Sequence, residues 1–313
     1  MSFLYPLRPI TRRHFLKITG STAAALALHP GSLWPAEKEA IFRTVPSSQT
    51  TLPVIGMGSW RTFDVDIRSP AVRQRVEVLR TFLSQGGALI DSSPMYGLSE
   101  EAIGYALKQL KGTGSLFSAT KVWTRGQQRG IRQMDNSREL WGVDKFDLMQ
   151  IHNMVGWEVH LETLRAWKME GRIGHIGITT SHGRRHAKIE RALKTSQFDF
   201  VQFTYNIADR EVERRLLPLA ADLGLGVIIN RPFRTGRLFS RVRGKALPEW
   251  AAEFDCRNWA QFFLKFIVSH PAVTCAIPAT RQVPHMLENM GAGVGRLPDE
   301  QMRQRMVATF DKL

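Results

Sequence analysis

The chain has 313 residues, 43% of them hydrophobic, and a formal net charge of +15. That length suits one large domain or two small ones, and the apolar share is ordinary for a globular protein with a sizeable core. Lys and Arg are spread along the chain. The densest run, Arg184-Arg185-His186-Ala187-Lys188, is short and has Glu190 close by. It reads as a solvated helix face, not as the broad basic stripe of a nucleic-acid surface. The charge stays compatible with anionic small molecules or an acidic membrane surface.

The first 36 residues read as a leader and residues 37–313 as one domain. Thr11-Arg12-Arg13-His14-Phe15-Leu16-Lys17 precedes a mildly apolar stretch, Ile18 to Leu28, and no acidic residue occurs before Glu37. A charged start followed by an apolar run too short to cross a bilayer is the layout of an export peptide. The arginine pair with Phe-Leu-Lys behind it resembles a twin-arginine signal. That resemblance implies handling by the twin-arginine export machinery and delivery, in bacteria, to the periplasm. Ala25-Leu26-Ala27 offers a cleavage site, with a later cut near Ala36 as the alternative. No later run is long and apolar enough for a stable transmembrane span.

From residue 40 onward, short apolar runs alternate with helical periods. Ile41 to Thr51 reads as a hairpin. Strand runs follow at Val54–Met57, Ala88–Asp91, Leu116–Thr120, Asp147–Ile151, Ile176–Ile178, Phe200–Phe203, Val227–Ile229 and Cys275–Ile277. Between them the expected helices begin at Ser69-Pro70, start at Ser99, and cover Arg132 to Leu140 and Glu158 to Glu170. The next is the basic helix, and the last two cover Glu211 to Leu223 and Trp259 to Ser269. A longer loop covers Arg231 to Pro248, and two C-terminal helices start near Pro284 and Pro298. Eight β-then-α units make an α/β protein whose parallel sheet closes as a (β/α)8 TIM barrel, with an N-terminal hairpin and extra C-terminal helices. An open doubly wound sheet is the alternative. It wants a glycine-rich phosphate turn after the first strand, and Gly56-Met57-Gly58-Ser59-Trp60 lacks the third glycine. Cys256 and Cys275 fall at opposite ends of one helix–strand unit, beyond disulfide reach and without zinc-ligand spacing, so both read as packing residues.

Four polar residues sit at or just past the ends of consecutive strands: Asp91, Tyr96, Lys121 and His152. Singly each has a plain reading, as a turn cap, loop packing, a solvated strand end and a core histidine. Together they lie on one rim. A phenol is a weak acid unless a nearby cation stabilises the phenolate, and Lys121 is such a cation. A lysine there needs a counter-ion, and Asp91 supplies it. His152 can hydrogen-bond a substrate oxygen or help pass a proton. An acid, a tuner, an anchor and an orienter suit a reaction in which an oxygen gains a proton as its carbon gains a hydride.

Asp91-Ser92-Ser93-Pro94-Met95-Tyr96-Gly97, Thr120-Lys121-Val122 and Gln150-Ile151-His152-Asn153 resemble the tetrad motifs of the aldo-keto reductase superfamily. The resemblance runs from about Pro53 to Asn289. It implies an NADPH-dependent carbonyl reductase with a small carbonyl substrate, Tyr96 as general acid, and Asp91, Lys121 and His152 completing the tetrad. It implies cofactor contacts at Gly58, Ser59 and Trp60 after the first strand, and at Thr179, Thr180 and Gln202 around the nicotinamide amide. Asn230 stands where the family often places a stacking aromatic. Arg231, Gly236 and Leu238 belong to a pyrophosphate loop. Thr280, Arg281, Glu288 and Asn289 match the adenosine end, with Arg281 favouring NADPH over NADH. Trp60, Trp123 and Trp157 follow strands at the same mouth and are expected to line an apolar substrate pocket.

Two rival functions are carried. An exported protein has no evident NADPH supply, so a nucleotide-binding sensor or partner module that does not turn over is the first. A metal-dependent lyase or hydrolase is the second. It needs clustered His/Asp/Glu ligands, of which only His152 and Asp91 are well placed, so no metal site is expected.

Overall fold

The computed structural model describes residues 39–110, 116–181 and 183–313. The leader expected over residues 1–36 lies outside them. A two-stranded antiparallel hairpin, β1 (Phe42–Thr44) and β2 (Thr51–Pro53), opens the described chain. Eight strands follow in one parallel sheet, each paired with the next in sequence: β3 (Met57–Gly58), β4 (Leu89–Asp91), β5 (Phe117–Val122), β6 (Phe146–Ile151), β7 (Ile173–Thr179), β8 (Phe200–Thr204), β9 (Gly226–Asn230) and β10 (Cys275–Ala276). The sheet curls until its edges meet. Gly56 N–H donates to Ala276 O at 2.9 Å, Ala276 N–H to Val54 O at 2.9 Å, and Gly58 N–H to Pro278 O at 3.0 Å.

Helices cover the outside: α1 (Ala71–Ser84), α2 (Ser99–Leu110), α3 (Gln127–Trp141), α4 (Trp157–Met169), α5 (His186–Thr195), α6 (Leu216–Asp222), α7 (Arg237–Arg241) and α8 (Trp259–Val268). Two more, α9 (Val283–Met290) and α10 (Glu300–Asp311), follow the last strand, as expected. Apolar spacing decides which face packs. In α1, Val72, Val76, Leu79 and Phe82 are buried, one stripe at helical period. The basic run reaches into α5, where Ile189, Ala192 and Leu193 turn inward and Ala187 and Lys188 outward.

Two helices depart from the expected bounds. α3 starts at Gln127, five residues before the expected Arg132, because Gly130 is no breaker here. A Cβ at that position would lie 2.5 Å from the His160 ring, so the glycine lets α3 approach α4. The helix expected over Glu211 to Leu223 is split into a 3-10 turn (Glu211–Arg214) and α6. Pro218 has no N–H for the carbonyl of Arg214, and its ring crowds that carbonyl, so one continuous helix cannot form.

The barrel interior is filled in layers. Leu89, Ala119, Leu148, Phe200, Ile228 and Cys275 form one apolar cluster with Val45 and Leu52, so the hairpin side chains join the filling from the strand-start end. Alternation along a strand puts every second residue inside. Two residues beyond those apolar positions stand Asp91, Lys121, Gln150, Gln202 and Asn230. A polar layer therefore lies directly above an apolar one, toward the strand C-termini. Cys256 and Cys275 are both free and buried.

Gly58 sits at the seam that closes the barrel. A Cβ there would lie 2.9 Å from Ile277 O, against fixed backbone. Gly58→Ala is expected to lower unfolding free energy by about 1–3 kcal/mol through overpacking. Urea titration reads this as a lower midpoint at constant m-value.

Candidate active site

Lys121 is fully buried, and so is Asp91 at 1% exposure. Lys121 Nζ donates to Asp91 Oδ2 at 2.5 Å and to Ser92 O at 2.7 Å. The other carboxylate oxygen, Oδ1, accepts from Gln150 Nε2 at 2.8 Å and from Gln202 Nε2 at 2.9 Å. Burial opposes a charge on Lys121, but Asp91 and Tyr96 beside it together outweigh that, and the lysine is shifted upward from its ordinary value. It is an ammonium at neutral pH.

Tyr96 comes from the loop after β4. A turn places it: Tyr96 N–H donates to Ser93 O at 2.9 Å, and Ser99 Oγ donates to Tyr96 O at 2.8 Å. Gly97 follows at φ +62°, where an added Cβ would run into Asp64. Lys121 Nζ lies 5.2 Å from the centroid of the Tyr96 ring. Burial pushes the phenol upward, Lys121 pulls it down, and the net direction is up. Tyr96 is therefore protonated at neutral pH and sits beside the cation that would stabilise its conjugate base.

His152 follows β6 and meets the Tyr96 ring edge-to-face, with centroids 5.7 Å apart. Its Nδ1 is 2.8 Å from Ser93 Oγ. Burial, then the positive charges of Lys121 and Arg185, hold its pKa down to about 2. The ring is a neutral imidazole across the physiological range. The four residues picked from sequence thus converge at one end of the barrel. Among the described residues, no three His, Cys, Asp or Glu side chains are grouped to hold a metal ion.

The residues matched to the cofactor divide by place. Ser59 is buried, and its hydroxyl lies 3.0 Å from Asp91 O and 2.8 Å from Ser92 Oγ within the wall. Trp60 is 38% exposed with the Arg61 guanidinium 5.1 Å over its ring. Thr179 Oγ1 accepts from Asn153 N–H at 3.0 Å. Thr180 N–H donates to Gln202 O at 2.9 Å. Gln202 Nε2 also reaches Gln150 Oε1 at 3.1 Å, and its own Oε1 accepts from Asn230 Nδ2 at 3.3 Å. Gln202 and Asn230 are thus tied into the Asp91 network. Arg231 Nη1 donates to Ser181 O at 3.1 Å. With Thr204, His186, Arg210, Arg234 and Arg237 it lines a cleft of about 520 Å³. Gly236 is exposed as the N-cap of α7, whereas the Leu238 side chain is buried in the core. Thr280 shapes the turn before α9 by accepting from Gln282 N–H at 3.1 Å. Arg281 is exposed, Glu288 half-buried and Asn289 buried. Trp123 is 42% exposed, with its ring 6.4 Å from His152, and Trp157 packs against the apolar core.

Sequence reasoning gave no role to Gln150 or Ser93, although both stood inside the quoted motifs. Gln150 is two residues beyond Leu148, an interior position, so strand alternation carries its signal. Ser93 has no such signal, because it lies in a loop.

A parallel barrel with a buried lysine–aspartate pair, a tyrosine and a histidine at its C-terminal mouth defines a class of barrel enzyme with proton-transfer groups. Residues 54–306 match the model of the aldo/keto reductase family, and residues 9–29 match that of the twin-arginine translocation signal. The chain is 26% identical over 250 residues to methylglyoxal reductase YeaE of Escherichia coli, covering 78% of this chain and 86% of the relative. It shares the fold of an aldo-keto reductase from Klebsiella pneumoniae in complex with NADPH. There the TM-score is 0.71 and the identity 24%, covering 88% of this chain and 94% of that one. The holo form of an aldo-keto reductase from Bacillus halodurans has a TM-score of 0.71 at 21% identity, with 87% and 96% covered. The chain belongs to the aldo/keto reductase family, and it is an NAD(P)H-dependent oxidoreductase with a twin-arginine signal at its N-terminus.

Two outcomes follow for stability. Asp91→Leu leaves a buried ammonium without its counter-ion and should cost about 3–5 kcal/mol, whereas Asp91→Leu with Lys121→Met recovers most of that loss. Denaturant unfolding of the single and double variants measures both. The second concerns acid. The folded His152 pKa of about 2 lies below the unfolded value of about 6.5, so between those limits the unfolded chain binds the extra proton. The stability due to a neutral His152 is complete above that window and shrinks as pH falls through it. From pH 7 to pH 5, wild type should lose about 2 kcal/mol more than His152→Gln in the same titration.

Proposed function

We propose that the protein reduces an aldehyde or ketone with hydride from NADPH, and that Tyr96 delivers the proton to the carbonyl oxygen. The observation that carries this reading is the buried Lys121–Asp91 pair held 5.2 Å from the Tyr96 ring centroid. A fixed cation beside a phenol favours the phenolate as the proton leaves, and Asp91 keeps that cation charged and in place. His152, neutral at working pH, hydrogen-bonds the substrate oxygen and leaves proton delivery to Tyr96. Trp60 and Trp123 offer apolar walls to the carbonyl compound.

The chain's own residues fit NADPH. Among the described residues, Asn289 Nδ2 and Arg231 Nε are buried polar atoms without a hydrogen-bond partner, the first in the segment matched to the adenosine and the second in that matched to the pyrophosphate. Unsatisfied donors of this kind are costly unless a ligand takes them. Arg231, Gly236 and the backbone around Leu238 would hold the pyrophosphate, and Thr280, Arg281, Glu288 and Asn289 the adenosine with its 2′-phosphate. The backbone at Gly58–Trp60, with Thr179, Thr180, Gln202 and Asn230, would frame the nicotinamide. Bound along these residues, NADPH supplies the hydride. The twin-arginine signal supports a barrel that folds and takes up nucleotide before export, with the periplasm as destination.

The same signal favours one second reading, a nucleotide-holding sensor outside the reach of a reductant supply. The decay of NADPH absorbance with a panel of aldehydes separates the two. Tyr96→Phe should lower kcat by about 10²–10⁴-fold with nucleotide affinity unchanged. Equal rates in the variant would remove Tyr96 as the acid, and tight nucleotide binding without wild-type turnover would favour the sensor. Arg281→Ala should raise the KM for NADPH by roughly tenfold or more and leave that for NADH alone, as expected for one lost charge-assisted contact.

A further inference from the structure

Ser93 is wholly buried, and its Oγ stands 2.8 Å from His152 Nδ1. The same oxygen accepts from Met95 N–H at 3.3 Å. A hydroxyl has one proton to give. Among the described residues, the acceptor within reach of that proton is His152 Nδ1. If Nδ1 carried the imidazole hydrogen it would donate to Ser93 Oγ, and among the described residues the buried Ser93 proton would be left without an acceptor. A neutral imidazole holds one hydrogen on one of its two nitrogens, so the group that donates to Nδ1 decides the tautomer.

We propose that Ser93 is a positioning residue: its hydroxyl donates to His152 Nδ1 and keeps the imidazole hydrogen on Nε2. The consequence rests on the reading of Tyr96 as acid. With hydrogen on Nε2, the ring nitrogen that Ser93 does not engage is a donor and has no lone pair free to take the phenol's proton. His152 can then polarise a carbonyl oxygen and cannot compete for the proton Tyr96 must give. The charged and titratable groups acting on the ring are Lys121, Arg185 and Tyr96, and none of them reaches Nδ1 as a donor in place of Ser93. Ser93 also opens the turn that presents Tyr96, since Tyr96 N–H donates to Ser93 O. One residue thereby sets the position of the acid and the protonation of its neighbour.

The test reads the tautomer directly. The full chain, labelled with ¹⁵N at its nine histidines, gives long-range ¹H–¹⁵N spectra, and His152→Gln identifies the His152 signals. The expected wild-type pattern is a hydrogen on Nε2, constant from about pH 5 to pH 8. Ser93→Ala should show a mixture of tautomers and a kcat lower by roughly tenfold, the worth of one hydrogen bond, with NADPH affinity kept. Ser93→Thr retains the hydroxyl and should restore both. A wild-type hydrogen on Nδ1 would overturn the proposal, and so would an unchanged tautomer in Ser93→Ala, whatever the loss of rate. The spectrum needs no turnover. An Nε2–H ring in a protein without reductase activity would therefore sink the functional reading and leave this assignment standing.

Discussion

A lysine ammonium buried to zero exposure is the constraint around which the rest of the molecule is arranged. Removing such a charge from water costs several kcal/mol, and attraction to a single carboxylate offsets that only with good geometry and with the remaining protons and lone pairs satisfied. Here Asp91 provides the geometry, and Gln150, Gln202 and Ser92 complete the satisfaction. Asp91 and Ser92 come from the end of β4, Lys121 from β5, Gln150 from β6 and Gln202 from β8. The ion pair joins neighbouring strands, and its remaining partners reach it across the barrel interior from β6 and β8, so the curl of the sheet completes the network that sets the surroundings of Tyr96.

The sequence made the barrel readable because a parallel sheet buried on both sides leaves continuous apolar runs, and eight of them alternated with helical periods. The meeting of Asp91, Lys121 and His152 at one mouth was readable for the same reason, since each marks where an apolar run stops, and Tyr96 lies in the loop just past one of them. Boundaries were less legible where one residue worked against the local pattern. Gly130 looks like a weak point in a helix until the His160 ring beside it is known, and Pro218 looks like an ordinary helix residue until its effect on Arg214 is considered. The surroundings of the residues matched to the cofactor were the least legible. Gln202 and Asn230 face inward by strand alternation, but only coordinates reveal that their amides join the Asp91 network instead of standing free at the mouth. Leu238 was matched to a pyrophosphate loop, yet its side chain belongs to the core.

The network also explains why the mouth holds its protonation states over a wide pH range. Lys121 is pushed upward, Tyr96 upward and His152 far downward. None of the three crosses neutrality, so the site carries one fixed ammonium, one protonated phenol and one uncharged ring. A centre whose charges are set by burial is insulated from changes in the pH outside it.

The hairpin has an effect that reaches beyond packing. Val45 and Leu52 add their side chains to the stack of Phe117, Leu148 and Phe200, so the cylinder is stoppered with hydrocarbon beneath its polar storey. Hydrocarbon side chains form that plug, and they offer no group to relay a proton. On the proposed chemistry, a spent phenolate must be recharged from the side by which reactants enter. Alcohol departure and proton return then share one doorway, and whatever covers that doorway controls both.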